Sequence, residues 1–392
     1  MPKVQGSRVI IAVLFGVLFL ATADNQLLIP LLPILGRELD VSMRTLGWLF
    51  SGYALAAALC SLCLGPLSDR FGRLIFLRIG LFLFSLVALL TYTVQGYSQL
   101  FWLRVSTGLM AGLLSTCTAS LVGDFFPYER RGRAMGVILS SYFAALILGV
   151  PMAAWVAQTW NWRTIFLGSS LVAFLLLICS LFFLPQETLS LPRSMRFYFG
   201  MYPRLLQHRE RRAAVAVSFC VSGATLAFLT FISDYLNQSF GLRPIQIAWL
   251  FVTAGVAAAV GSLISGWISD RFTKRRVFLV ANTLLIVPLL ALDRLEWGIP
   301  LFGLFFIISL CIAFRQTALH TLQTELVQRE QRGSFLALRN TFSQVGISVS
   351  VLVAGNLYSQ MGYRGVTLWA ALLTLLGSVM LYQVIEEPTK QQ

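Results

Sequence analysis

Asp24 is the one acid lying well inside an uninterrupted apolar run of this 392-residue chain. An ionisable group so placed costs about 2.5–3.5 kcal/mol to hold in a membrane, which makes it a functional candidate by default. It lies nine residues before Pro33, roughly 14 Å along a helix, and Arg104 lies about 8 Å beyond Gln99 by the same rise. The two are close enough in depth to pair or to share a water. Burial and a neighbouring guanidinium act on a carboxyl in opposite directions. A cycle that changes either one lets Asp24 take a proton on one side of a membrane and release it on the other; a static pair holding two helices together is the alternative. Asn25 and Gln26 place hydrogen-bonding groups beside Asp24, and Asp234 sits near the end of a later run, at a rim position.

The second half of the chain carries a different set. Arg315, Gln316 and His320 fall in one apolar run, and Arg339, Asn340 and Gln344 in the next, with Glu325, at a run's end, as the nearby acid. A guanidinium forks onto carboxylate or phosphate, so Arg315 with Gln316 reads as recognition of an anionic or strongly hydrogen-bonding group; pairing to a helix carbonyl is the alternative. Arg339 and His320 lie nearer a run's end, where water can solvate them. Tyr53, Tyr142, Phe143, Phe228 and Phe231 are candidates for an amphipathic cavity wall. Binding of a small-molecule substrate is therefore assigned to Asn25, Gln26, Tyr53, Tyr142, Phe228, Arg315, Gln316, His320, Arg339 and Gln344.

The elements that position these residues follow from composition. Hydrophobic residues make up 57% of the chain and charged ones 12%, against about 25% charged in a soluble domain. Such a chain cannot cover its apolar surface in water, which excludes a soluble enzyme, a disulfide scaffold and a disordered chain. A membrane helix needs about 20 mostly apolar residues. Twelve such runs are present, at 9–33, 45–67, 75–94, 99–122, 134–157, 164–184, 212–237, 245–269, 276–293, 298–322, 334–357 and 366–385. The first is too long for a signal peptide's apolar core and ends in Pro30 and Pro33 rather than at a small-residue cleavage site.

The net charge of +14 collects in short loops. Alternate loops hold twenty Lys and Arg, and the opposite set holds six. By the positive-inside rule both termini and the longest connection are cytoplasmic, and no nucleic-acid partner is implied. The expected organisation is all-α and membrane-integral: a six-helix bundle over 1–184, a cytoplasmic linker over 185–211 and a second six-helix bundle over 212–392. The six cysteines lie in apolar runs, and Cys60 and Cys63 lack the second ligand pair of a zinc site. No metal or other cofactor is expected, the proton gradient being the energy source. There is no G-x-x-x-x-G-K-[ST] loop for ATP-driven pumping and no nucleophile–base pair for a membrane enzyme.

The two halves repeat. Residues 46–73 and 247–274 share 13 of 28 positions at an offset of 201, including Trp48/Trp249, Gly65/Gly266, Asp69/Asp270 and Arg70/Arg271. The same offset pairs Asp124 with Glu325, Glu129 with Glu330, Arg131 with Arg332 and Arg163 with Arg364. Shared loop charges are not what chance gives between apolar helices. Duplicated parallel six-helix halves with a midplane site define a secondary-transporter architecture. The run Gly65-Pro-Leu-Ser-Asp69-Arg70-Phe-Gly72-Arg73 resembles the signature loop of the major facilitator superfamily, and Gly266 to Lys274 is its second copy. Asp24 to Pro33 resembles the first-helix pattern of the drug and sugar proton-antiporter branch. Leu148 to Trp155 resembles its fifth-helix motif in the arabinose-efflux-like form, with Ala153 and Ala154 where glycine is common.

That resemblance implies a proton-coupled exporter of small organic solutes or drugs in a bacterial inner membrane, expected to act as a monomer among lipids. It associates Arg104 with proton transfer and Asp24 with protonation. It also implies a gate made of Asp69, Arg70, Arg73 and Asp124, with Asp69 facing the start of the eleventh helix near Gly333 and Arg73 paired to Asp124. The repeat adds Asp270, Arg271, Lys274 and Glu325, with Lys274 paired to Glu325. A role confined to fixing topology is the alternative, against which both copies of the acid–base pattern count. Transport of organic anions or lysolipids, as uniport or symport, is a second reading. A non-transporting transceptor or scaffold is a third, and the duplicated charges count against it.

Overall fold

The computed structural model describes residues 7–185, 200, 202–327 and 331–384, with the side chains of Ser7, Gly65, Pro66, Asp69, Tyr128, Glu129, Asp270, Asp293 and Arg332 excepted. Most of the expected linker, 186–199 and 201, lies outside the described residues. The first half contains α1 (Ser7–Gln26), α2 (Met43–Phe71), α3 (Arg73–Tyr92), α4 (Tyr97–Phe125), α5 (Arg130–Thr159) and α6 (Arg163–Phe183). The second contains α7 (Arg209–Phe240), α8 (Pro244–Arg271), α9 (Lys274–Ala291), α10 (Ile299–Glu325), α11 (Arg332–Met361) and α12 (Tyr363–Val384). A 3-10 turn and the short helix Leu32–Glu38 extend α1 through Pro30 and Pro33.

Among the described residues, eleven helices are long and apolar enough to cross a membrane by length and composition, where the sequence predicts twelve. The one that falls short is α9. It has 18 residues, and its first turn is occupied by Lys274, Arg275 and Arg276, which leaves a brief apolar stretch.

Local chemistry sets the helix ends. The Ser42 side chain accepts from the Thr45 N–H and caps α2. Gly72, at φ 108, joins α2 to α3 through a backbone conformation that other residues strain to adopt. Pro151 brings no N–H to the ladder, and α5 widens into a π-turn over Ala145–Gly149 just before it.

Both halves pack in the same pairs. In the first, α2 lies on α4, α3 on α6 and α1 on α5; in the second, α8 lies on α10, α9 on α12 and α7 on α11. Gly108 and Gly112 let α4 approach so closely that a Cβ at either position would meet the backbone of Tyr53 or Ala57. Large exposed apolar side chains run along α3 (Ile75, Ile79, Phe82, Leu86), α6 (Leu171, Phe174, Leu175, Phe182), α9 (Val280, Leu284, Val287) and α12 (Leu368, Leu372, Leu375, Val379). In water such stripes would be untenable, and in lipid they are the outer wall. The halves meet where α2 lies along α11 and α5 along α8.

Candidate functional site

Asp24 and Arg104 are joined. Arg104 Nη1 donates to Asp24 Oδ2 at 2.6 Å, Nη2 lies 3.4 Å from the Asp24 carbonyl, and both residues are 1% exposed. Tyr53 of α2 closes the group: the guanidinium lies 4.6 Å from its ring centroid, and its hydroxyl donates to the Ala21 carbonyl at 3.0 Å. Three helices of the first half thus converge on one ion pair. The pair is incomplete in hydrogen bonding, because Asp24 Oδ1, Arg104 Nε, Asn25 Oδ1 and Gln26 Oε1 are buried with no partner. A buried carboxyl oxygen without a donor is where an added proton can sit.

The apolar cores show which end of the molecule is closed. At the end away from the basic loops, one continuous core unites both halves, from Leu28, Leu46 and Phe50 to Phe228, Phe231, Val351 and Tyr363. A buried bond from Ser51 Oγ to the Ser348 carbonyl, 2.8 Å, crosses the junction there. At the basic end the core divides. One cluster is built from the first half, around Leu14, Leu77 and Leu121. The other is built from the second half, around Val217, Phe278 and Phe335, and Leu62 of α2 packs against it.

Between the divided cores, Tyr142 of α5 is 43% exposed although Thr22 of α1 and Arg339 of α11 neighbour it. Exposure between helices of opposite halves marks a cavity open toward the basic end. Arg339 Nη1 lies 2.5 Å from His320 Nδ1 and 3.4 Å from Gln323 Oε1, and His320 is exposed. Gln316 and Gln344 are half-buried.

Other expected site residues are enclosed. Phe228 is 1% exposed and packs on Phe305 and Tyr363, inside the shared core and away from the cavity. Tyr53 is buried with its hydroxyl engaged. Arg315, 1% exposed, bonds within the second half: Nη1 to Asn282 Oδ1 at 2.9 Å, Nη2 to Thr225 Oγ1 at 2.6 Å, with Thr374 Oγ1 and the Val221 carbonyl at 3.4 and 3.3 Å. Its guanidinium ties α7, α9, α10 and α12 together. Neutral acceptors already occupy it, which is the physical reason it does not present itself to a solute.

Sequence reading missed Asn282 and Thr225, although the 201-residue offset carries Asp24 onto Thr225. Each half therefore ties a buried arginine to the same position of its first helix. It also missed the opposite end's two clusters. Glu38 takes an N–H from Arg163 at 2.6 Å and another from Trp162 at 2.5 Å. Asp234, expected at the rim, is buried and accepts from Tyr358 and Gln238 at 2.5 and 2.8 Å.

At the basic end, Arg73 lies 2.7 Å from Asp124, and Lys274 lies 3.0 Å from Glu325. The two bridges are related by the repeat offset. Arg70 and Arg271 are exposed, lying over Phe71 and Trp267. The side chains of Asp69 and Asp270 lie outside the described residues.

The sequence model of the Major Facilitator Superfamily matches residues 14–231 and 213–392. YceJ, an MFS-type transporter of Bacillus subtilis, is 26% identical over 385 residues, 96% of each chain. The multidrug resistance protein MdtG of Klebsiella pneumoniae is 23% identical over 371 residues, covering 92% of this chain and 90% of that one. A bacterial homologue of the human lysosomal transporter Spinster, solved in an inward-facing, unoccupied conformation, matches with a TM-score of 0.81 over 99% of this chain and 100% of that one. Its sequence identity is 14%, so the likeness is one of fold.

Proposed function

Because the chain belongs to the Major Facilitator Superfamily, a family of transporters and not enzymes, we propose that it exports small organic solutes by proton-coupled alternating access. It is a multi-pass protein of a bacterial inner membrane. The observation that carries the coupling is the buried Asp24–Arg104 pair with its unmatched Oδ1, at the inner limit of the shared core. Twenty basic loop residues against six favour cytoplasmic termini, and in that orientation the cavity opens to the cytoplasm.

In this state a solute enters between the divided cores. Rocking of one half on the other closes the basic end and parts the shared core near Ser51 and Ser348. The change alters both the hydration of Asp24 and its distance from Arg104, so protonation and access move together. The likeness to MdtG supports the export direction and a drug-like cargo. The Arg73–Asp124 and Lys274–Glu325 bridges belong in this reading to the cytoplasmic gate. Each sits at a helix junction that moves with its half, and ion pairs this exposed contribute at most about 1 kcal/mol, so the switch stays reversible.

Reconstitution into vesicles with an imposed pH gradient tests the reading. Solute should accumulate against its gradient when protons flow the other way. Absence of flux and of proton movement across a broad solute panel would favour a scaffold instead.

A further inference from the structure

The cavity wall carries an unbalanced charge. Asp24 and Arg104 neutralise one another, and Arg315 is enclosed by neutral partners. Arg339 remains. Its bonded neighbours are His320 and Gln323, both uncharged as acceptors, and its Nε is buried without a partner. No carboxylate among the described residues lies within ion-pair distance of it, and Tyr142 of the other half is 43% exposed.

Arg339 Nη1 meets both ring nitrogens of His320, Nδ1 at 2.5 Å and Nε2 at 3.1 Å, so the histidine fixes one end of the guanidinium and leaves its Nε side unmatched. Arg339 has N–H groups beyond those bonded to His320 and Gln323, and Tyr142 adds a phenolic O–H. An arginine held by neutral neighbours recognises planar oxyanions through its fork, and a net positive wall concentrates anions and repels cations. A cavity built first for lipophilic cations would leave an acid unpaired at this place.

We infer that Arg339, His320 and Tyr142 form an anion subsite spanning the two halves, and that the transported solute carries a carboxylate seated there. The inference rests on the proposed transport function and names its substrate class. Because Tyr142 and Arg339 belong to opposite halves, a bound carboxylate is gripped from both, and its contacts change when the halves rock. Differential contact of this kind is what lets a ligand shift a conformational equilibrium.

The test uses the full chain in lipid nanodiscs and three probe sets matched in carbon skeleton: gluconate, gluconamide and glucamine; phenylacetate, phenylacetamide and phenethylamine; decanoate, decanamide and decylamine. Binding is read by calorimetry and by the shift in thermal unfolding. At least one carboxylate should bind, with its amide and amine weaker by at least about tenfold. Arg339→Gln should abolish that preference and Arg339→Lys should restore part of it, since the charge returns without the fork. The unliganded unfolding midpoint of Arg339→Gln checks its fold, and if it does not fold, reduced preference in Arg339→Lys and in His320→Gln carries the test. Tighter binding of the amines, no carboxylate binding up to about 10 mM, or an undiminished preference in the variants overturns the subsite. Flux of the bound carboxylate into proteoliposomes is measured separately: binding without flux overturns the transport reading and leaves the subsite standing.

Discussion

Asp24 gives one oxygen to Arg104 and keeps the other unmatched, while Arg315, equally buried, is surrounded by neutral acceptors. The first arrangement can change its protonation without dismantling its neighbours; the second is a clamp. Asn282 shows the difference, since it accepts from Arg315 while donating to the Thr374 carbonyl and to Ser378. Asn282→Leu should lower thermal stability in detergent by about 1–2 kcal/mol and leave binding at the cavity unchanged. Asp24 and Arg104 were legible as a pair because each is an isolated charge in an apolar run and their depths coincide. Arg315's partners were not, because Asn282, Thr225 and Thr374 are single polar residues scattered over three helices, with no spacing that links them before the helices are packed.

The helices repeat their pairings in both halves, and the positions that permit close packing are specific. Gly112→Val in α4 places a branched side chain against the Ala57 backbone of α2. It should cost about 2–3 kcal/mol through overpacking, read as a lower unfolding midpoint. The π-turn of α5 is a different kind of feature. It lies on the junction with α8, where Leu146 and Ile147 approach Gly255. Pro151→Ala returns the missing N–H and should let α5 regularise. We expect unchanged or raised thermal stability with a slower transport rate in vesicles; an unaltered rate would remove the turn from the cycle. Helix positions were legible because eleven of the twelve runs reach the length a membrane demands. The π-turn was not, since Pro151 could equally have produced a kink, and α9 reads as an apolar run only when Lys274 and Arg275 are left outside it.

At the scale of the molecule, a core shared at one end and divided at the other defines the state of the protein. Hydropathy reports which residues avoid water but is indifferent to which of two packings they adopt, so the sequence predicts two bundles and is silent on which end is shut. Joining the halves at the closed end should arrest the cycle. In a background without the native cysteines, Ser51→Cys with Ser348→Cys, built where Ser51 meets the Ser348 carbonyl, should form a disulfide on mild oxidation. Transport should then stop and return on reduction; full transport by the cross-linked protein would mean that this end does not open.

The proposed function assigns the coupling to Asp24, and the most direct measurement is solute-driven proton movement in proteoliposomes containing a pH-sensitive dye. Wild type and Asp24→Asn would be compared beside solute exchange at equal pH. The wild type should move protons when a solute gradient is imposed. Asp24→Asn should lose that movement by at least about tenfold while retaining exchange, since exchange needs the rocking motion but no change of charge. Proton movement of undiminished size in Asp24→Asn would contradict the assignment and place coupling elsewhere.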